Sequence, residues 1–131
     1  MYRMVEHVGE IELELQGASE ADVFDAAAGA FRELVDGSAP GHEPFRREIV
    51  LGPDDAEILL ADWLEELVFL AEVEGFVPLQ VVELDLRGGR LRSVVEGIRG
   101  RPRHLVKGAT LHELSLSEDE EGWHGRVVLD V

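Results

Sequence analysis

Apolar and polar positions first alternate along the chain and then repeat at helical spacing. Residues 5 to 15 have glutamates on one face and apolar side chains with His7 on the other, which predicts a half-buried strand. The segment Ser19-Glu20-Ala21-Asp22 is typical of a helix start. Apolar residues then recur at helical spacing, so we predict a helix that ends near Asp36-Gly37.

A second helix is predicted to be the centre of the core. It follows Gly52-Pro53-Asp54-Asp55, ends at Gly75 and is apolar around much of its circumference. A short strand, Arg46 to Leu51, is predicted before it.

The rest of the chain is predicted to form strands and hairpins. Two glycines, Gly88-Gly89, indicate a hairpin turn, and a change of apolar parity between Val81 and Val82 indicates a bulge. The predicted strands are Val77 to Leu86, Leu91 to Ile98, Ala109 to Leu116 and Trp123 to Val131, with a loop over Gly97 to Arg103 and an acidic turn over Ser117 to Gly122.

These elements predict an α+β fold in one domain, residues 1–131. We expect two helices packed on one face of a mixed, mostly antiparallel sheet of about six strands. A doubly wound α/β fold is disfavoured because the second half has no crossover helices.

The charge balance narrows the classes of partner. Lys and Arg number 12 against 28 Asp and Glu, so the formal net charge is 12 − 28 = −16 on 131 residues. This excess of acids argues against direct binding of nucleic acid or of an anionic membrane surface. A basic protein or a hard cation is the natural complement.

The lack of cysteine limits the possible site chemistry, and the lack of long apolar segments limits the expected cellular location. The chain has no cysteine, which excludes disulfides, thiolate metal sites and cysteine nucleophiles. No apolar run approaches 18 residues, and the segment from Met1 to Met4 has no signal-peptide character. We expect a cytoplasmic protein.

Carboxylates on the polar faces of the first and last strands are the first candidate site. Glu10 lies on the polar face of the first strand, and Asp130 precedes Val131 with its free carboxylate. If these strands are neighbours, the three groups cluster, and their oxygens suit Ca²⁺, Mg²⁺ or Mn²⁺. The alternative is that they are solvated acids of a very acidic protein.

Histidines and a basic segment are the other candidates. His7 and His112 are predicted on apolar faces, where a histidine is more often part of the core than a catalytic base. No activated Ser or Thr nucleophile is recognisable beside either. The basic residues group late in the chain, a weak signal for RNA or nucleotide contact: Arg99, Arg101, Arg103, His104 and Lys107.

Five segments in order, over essentially the full length, resemble motifs of the archease family. They are Glu6-His7-Val8-Gly9-Glu10-Ile11; Phe31-Arg32-Glu33-Leu34-Val35-Asp36; Asp62-Trp63-Leu64-Glu65-Glu66-Leu67-Val68-Phe69-Leu70 with Glu74-Gly75-Phe76; Lys107-Gly108-Ala109-Thr110-Leu111-His112-Glu113-Leu114; and Gly122-Trp123 with Val127-Val128-Leu129-Asp130-Val131. The chain departs from the family pattern at Glu10, which replaces an aspartate, at Val8-Gly9 and at Leu111, which replaces a tyrosine. The segment from Gly97 to His104 is also shorter than usual.

The resemblance implies a non-enzymatic accessory protein of the GTP-dependent RNA ligase that acts in tRNA splicing and RNA repair. Such a protein promotes guanylylation of the ligase and its multiple turnover. The resemblance also implies a divalent cation, most often Ca²⁺, held by Glu10, Asp130 and Val131. Asp36 matches a further acidic position of the family.

Lys107 and His112 lie in another motif of the family and are expected as additional metal or partner contacts. The expected partner is the RNA ligase, with no direct contact to nucleic acid or membrane. Two alternatives stay open at this stage. One is a general chaperone or interaction module without a ligase partner, and the other is a metal-dependent hydrolase.

Overall fold

Nine elements build the fold in a computed structural model that describes residues 1–35, 43–100 and 106–131. They are β1 (Tyr2–His7), β2 (Glu10–Gly17), α1 (Glu20–Val35), β3 (Phe45–Leu51), α2 (Ala56–Glu74), β4 (Phe76–Arg87), β5 (Arg90–Arg99), β6 (Gly108–Asp119) and β7 (Gly122–Asp130). One sheet has four strands in the order β1-β2-β7-β6, and the other has three in the order β3-β5-β4. All pairings among these strands are antiparallel.

The α+β class is confirmed, but the strands form two sheets instead of one and number seven instead of about six. The helices contact both sheets. α2 packs against β6 and β7 of the four-stranded sheet and against β3, β4 and β5 of the other. A helix that is apolar around most of its circumference buries more when it is covered on two sides, which a single sheet cannot do.

The predicted first strand is a hairpin. β1 and β2 pair in antiparallel register from Tyr2 opposite Leu15 to His7 opposite Glu10. Between them Val8 and Gly9 form the turn, and Gly9 has a φ of 76°. Glycine adopts this left-handed backbone without steric cost, so the chain can reverse here. The reversal adds the extra strand.

Both helices begin and pack as predicted. At the start of α1, the Asp22 backbone N–H donates to Ser19 Oγ at 3.2 Å, and the Ser19 N–H donates to Asp22 Oδ2 at 3.2 Å. α2 ends at Gly75, and its Trp63 is fully buried, with Nε1 donating to the Phe24 carbonyl at 2.9 Å. The predicted end of α1 at Asp36-Gly37 lies outside the described residues. Neither helix is long and apolar enough to cross a membrane.

In the three-stranded sheet, the Gly88-Gly89 hairpin and the β4 bulge are confirmed. Register shifts flank Leu79 and Val82 of β4. The predicted loop is wrong at its beginning, because β5 continues to Arg99. Gly97 of β5 is paired with β3 on one side and β4 on the other, so the ladder continues through it. Residues 101 to 103 of that loop lie outside the described part.

The last hairpin is longer and less regular than predicted. β6 extends to Asp119 and β7 starts at Gly122, so the turn needs only two residues. The Asp119 carboxylate accepts the Glu121 N–H at 2.8 Å and stands 2.9 Å from His124 Nε2, which supports this tight turn. The β6–β7 register shifts between Thr110 and Ser115, where residues 111–114 of β6 bulge opposite one residue of β7.

Candidate carboxylate site

Three neighbouring strands bring Glu10 and Asp130 together at the end of the four-stranded sheet. Glu10 of β2 is the direct partner of Asp130 of β7, and Asp130 is also the partner of Gly108 of β6. Side chains at opposed positions share a face, and their Cβ atoms lie about 4.5–5.5 Å apart. The two carboxylates therefore project side by side.

Backbone hydrogen bonds hold Lys107 and Val131 next to this pair. The Lys107 N–H donates to the Asp130 carbonyl at 2.8 Å, and the Val131 N–H donates to the Gly9 carbonyl at 3.1 Å. Val131 thereby lies against the β1–β2 turn, and Lys107 lies against β7. Glu10, Asp130, Val131 and Lys107 are the predicted site residues that the structure brings together.

His7 also belongs to this end of the sheet, which corrects its predicted place on an apolar face. Because the chain reverses at Gly9, His7 is the direct partner of Glu10 and is exposed. The row across the strands reads His7, Glu10, Asp130, Gly108. An imidazole therefore stands on the same face as the two carboxylates.

His112 is neither on an apolar face nor in this row. It lies in the β6 bulge, with its side chain 75% exposed. The His112 N–H donates to Thr110 Oγ1 at 2.9 Å, and Glu113 next to it has a left-handed φ of 57°. The bulge interrupts the alternation of β6, so the predicted parity does not apply to His112.

The other acids on this face of β2 have arginine partners. Arg126 Nε stands 3.1 Å from the Glu12 carboxylate, and Glu12 is buried at 8% exposure. Arg3 stands 2.8 Å from the Glu14 carboxylate and lowers the pKa of Glu14 by hydrogen bonding to it. Glu10 and Asp130 form no ion pair within residues 1–35, 43–100 and 106–131.

Oxygen donors of this kind suit a hard divalent cation, and the described acids supply part of a ligand set. No group of three His, Cys, Asp or Glu side chains in the described segments is placed to hold a metal ion. A Ca²⁺ ion takes six to eight oxygens and accepts backbone and terminal oxygens as well as side chains. Glu10 and Asp130 fit two positions of such a ligand set, which would need further oxygens to be complete. Val131 adjoins the pair through its bond to Gly9, and Asp36 lies outside the described residues.

Three parts of this site were missed at the level of sequence. His7 was assigned to the wrong face, although the Val8-Gly9 pair is a turn signal. The Glu12–Arg126 pair joins β2 to β7 across the sheet. Glu65 of α2 accepts a hydrogen bond from the Ala109 N–H at 2.6 Å, beside the partner of Asp130. No local pattern distinguishes Glu65 from the solvated acids around it.

Comparisons with known proteins agree over the whole chain. A family model described as the Archease protein family (MTH1598/TM1083) matches residues 2–131. The protein archease of Archaeoglobus fulgidus is 33% identical over 144 residues, with 99% of this chain and 98% of that protein covered. The protein archease of Methanosarcina acetivorans is 32% identical over 141 residues, with coverage of 99% and 95%.

Two solved structures share the fold. The crystal structure of an archease from Thermotoga maritima, described as a possible chaperone, has a TM-score of 0.72 at 21% identity, covering 100% of this chain and 98% of that one. The solution structure of protein 1598 from Methanobacterium thermoautotrophicum has a TM-score of 0.72 at 23% identity, covering 99% and 98%. At these identities the likeness concerns the fold alone.

Proposed function

The chain belongs to the archease family, and from this premise we propose that it is a non-enzymatic accessory factor of a GTP-dependent RNA ligase. In this role it promotes guanylylation and multiple turnover of the ligase during tRNA splicing or RNA repair. The observation that carries the proposal is the pair of Glu10 and Asp130, directly opposed on neighbouring strands and without an arginine or lysine partner in the described segments.

The proposed site holds a divalent cation through Glu10, Asp130 and the carboxylate of Val131. Ca²⁺ is the preferred ion, and Mg²⁺ or Mn²⁺ are alternatives. A bound cation supplies the positive charge that offsets the repulsion between the adjacent carboxylates. Glu10 is one methylene longer than aspartate, so the distance from its backbone to the ion is greater on the β2 side. Asp36 is the further acid that the resemblance adds.

The net charge of the chain favours a protein over a nucleic acid as the binding partner. With a net charge of −16, the chain attracts a basic protein surface and repels the phosphates of RNA. His7 is exposed at one end of the row that contains Glu10 and Asp130, and Lys107 is exposed next to Gly108 at the other end. We propose that they contact the ligase around the carboxylate site. His112, exposed on the β6 bulge, is a further proposed contact.

The test is a guanylylation and turnover assay with the cognate ligase. The wild-type chain should raise the number of ligation cycles per ligase, and Asp130→Asn should remove most of that increase. Glu72→Gln is the matched control, because it also removes one negative charge but lies on the exposed face of α2. No effect of the wild-type chain on guanylylation or turnover would contradict the ligase role.

A general chaperone without a ligase partner is the second candidate. It is favoured by the description of the Thermotoga maritima relative as a possible chaperone and by the acidic surface of this chain. The chain would then suppress aggregation of several unrelated heat-denatured proteins, and Asp130→Asn would suppress it equally well. Suppression of none of them would remove this candidate.

A further inference from the structure

Glu65 reaches from α2 to the first residues of β6. Its Oε1 accepts the Ala109 backbone N–H at 2.6 Å, so a helix side chain is bonded to the backbone of the strand. β6 is an edge strand, so every second N–H points away from β7 and needs another acceptor. Glu65 supplies that acceptor to Ala109.

Gly108 leaves the space that this carboxylate occupies. A Cβ at Gly108 would lie 2.7 Å from Glu65 Oε1, closer than real Cβ atoms approach oxygen. The φ of Gly108 is outside the left-handed region, so an alanine could adopt the same backbone. A side chain at Gly108 would therefore displace the Glu65 carboxylate from this position, although the backbone conformation would allow it.

The segment that Glu65 holds is short and adjoins Asp130. Only Gly108, Ala109 and Thr110 pair with β7 before the bulge of residues 111–114 interrupts the ladder. Gly108 is the partner of Asp130, and the Lys107 N–H donates to the Asp130 carbonyl. A three-residue ladder at the edge of a sheet is weak alone, so the bond from α2 adds a restraint that the ladder itself lacks.

We propose that Glu65 is a positioning residue of the carboxylate site. Its hydrogen bond to Ala109 fixes the start of β6 against β7 and thereby orients Asp130 and Lys107. The inference rests on the proposed cation site for its effect on binding. Removal of groups that orient metal ligands typically weakens binding by about 10–100-fold. Glu65 thus couples the core helix to a site 65 residues further along the chain, at Asp130.

The first measurement is amide hydrogen exchange at Ala109, which needs no cation. Glu65→Ala should accelerate exchange at Ala109 at least about tenfold, because the acceptor is lost. Glu65→Gln keeps an acceptor oxygen and should stay within about threefold of wild type. Gly108→Ala alone should also accelerate exchange at Ala109, because the new methyl group displaces the Glu65 carboxylate. In the Glu65→Ala variant the carboxylate is already absent, so adding Gly108→Ala should cause no further acceleration.

The second measurement is calorimetric titration with Ca²⁺. We expect Glu65→Ala to weaken binding about tenfold, Glu65→Gln to restore it, and Glu72→Ala on the same helix to leave it unchanged. Binding in wild type with no loss in Glu65→Ala would overturn the positioning role and leave the cation site intact. No binding of Ca²⁺ by the wild-type protein would instead contradict the cation site. The positioning role would then be decided by hydrogen exchange alone, from whether the effects of Glu65→Ala and Gly108→Ala on the Ala109 amide are non-additive. Equal exchange at Ala109 in all variants would overturn it.

Discussion

The outward faces of the two sheets are both rich in charge, but they balance that charge differently. On the three-stranded sheet, Arg92 lies 2.8 Å from Glu48 and 2.9 Å from Glu83, so one arginine of the central strand β5 serves both of its neighbours. Arg46 of β3 pairs with Glu96 of β5, and Arg87 pairs with Asp85 of its own strand. Basic residues therefore match acids along this face.

The four-stranded sheet follows the same rule until its last row. Arg3 pairs with Glu14 and Arg126 with Glu12, but in the next row an acid of β2 meets an acid of β7. Alternating polar strands thus give either a neutral ladder or a pair of like charges, depending only on which residue stands opposite. Like charges at opposed positions are destabilising unless something else neutralises them.

The largest expected effect, on Ca²⁺ affinity, comes from replacing one acid of the Glu10–Asp130 pair with a basic residue. Asp130→Lys would give Glu10 the basic partner that the acids of the other sheet have. Loss of one acidic ligand and addition of a positive charge should weaken Ca²⁺ binding at least about 100-fold in calorimetry. The unfolding midpoint in urea should not fall, because a like-charge pair becomes an ion pair.

The matched control is Glu14→Lys, which alters an already paired acid and should leave Ca²⁺ affinity within about threefold of wild type. Retained tight binding in Asp130→Lys would show that the row is not a cation site.

A smaller effect is expected on stability, where loss of a buried ion pair should cost more unfolding free energy than loss of exposed ion pairs. Arg126→Ala leaves the Glu12 carboxylate, only 8% exposed, without its partner, and should cost about 1–3 kcal/mol of unfolding free energy. Arg92→Ala removes two exposed, solvent-screened pairs of the other sheet and should lower the unfolding free energy less than Arg126→Ala does. Urea denaturation of both variants measures the difference.

Adding Glu12→Gln to Arg126→Ala should recover part of the loss, since it removes the uncompensated charge. Equal costs for Arg126→Ala and Arg92→Ala would show that the two faces are energetically alike.

The smallest expected effect is on the pKa values of two exposed acids that have arginine partners. The hydrogen bond from Arg3 lowers the pKa of Glu14, and the hydrogen bond from Arg87 lowers the pKa of Asp85. An acid whose pKa is lower in the folded state adds stability above its unfolded pKa and loses it as pH falls through the folded pKa. Acid should therefore weaken both faces.

Carboxyl NMR titration of Arg3→Met and Arg87→Met measures these shifts. The first variant should return the pKa of Glu14 toward its ordinary value and leave Asp85 unchanged, and the second should do the reverse. A pKa of Glu14 that does not move in Arg3→Met would rule out this ion pair in solution.

Much of the fold was accessible from local pattern. Helical periodicity, the Ser19–Asp22 cap and Gly75 located both helices, because these signals act within a few residues of one another. The hairpin at Gly88-Gly89 was located for the same reason. The first hairpin was missed, since apolar alternation continues through Val8 and Gly9 as if the strand were unbroken.

The site was accessible only in part. Strand parity placed Glu10 and Asp130 on polar faces, and the resemblance to archeases joined them into one ligand set. Their adjacency depends on β2 pairing with β7, which the residues of neither strand specify alone. Glu65 and Ala109 are 44 residues apart, and no short-range rule connects them.

By itself, the sequence of this protein determined its helices, most of its strands, its acidic character and its family. The helices, strands and acidic character follow from side-chain periodicity, turn chemistry and charge, which are local or additive, and the family follows from the five segments that resemble archease motifs. Only the tertiary structure decided that α2 is covered by two sheets, that His7 faces Glu10, and that Glu10 faces Asp130 with no arginine paired to either one in the described part of the chain. These relations depend on which distant segments pack together, and that is settled by burial of the whole core.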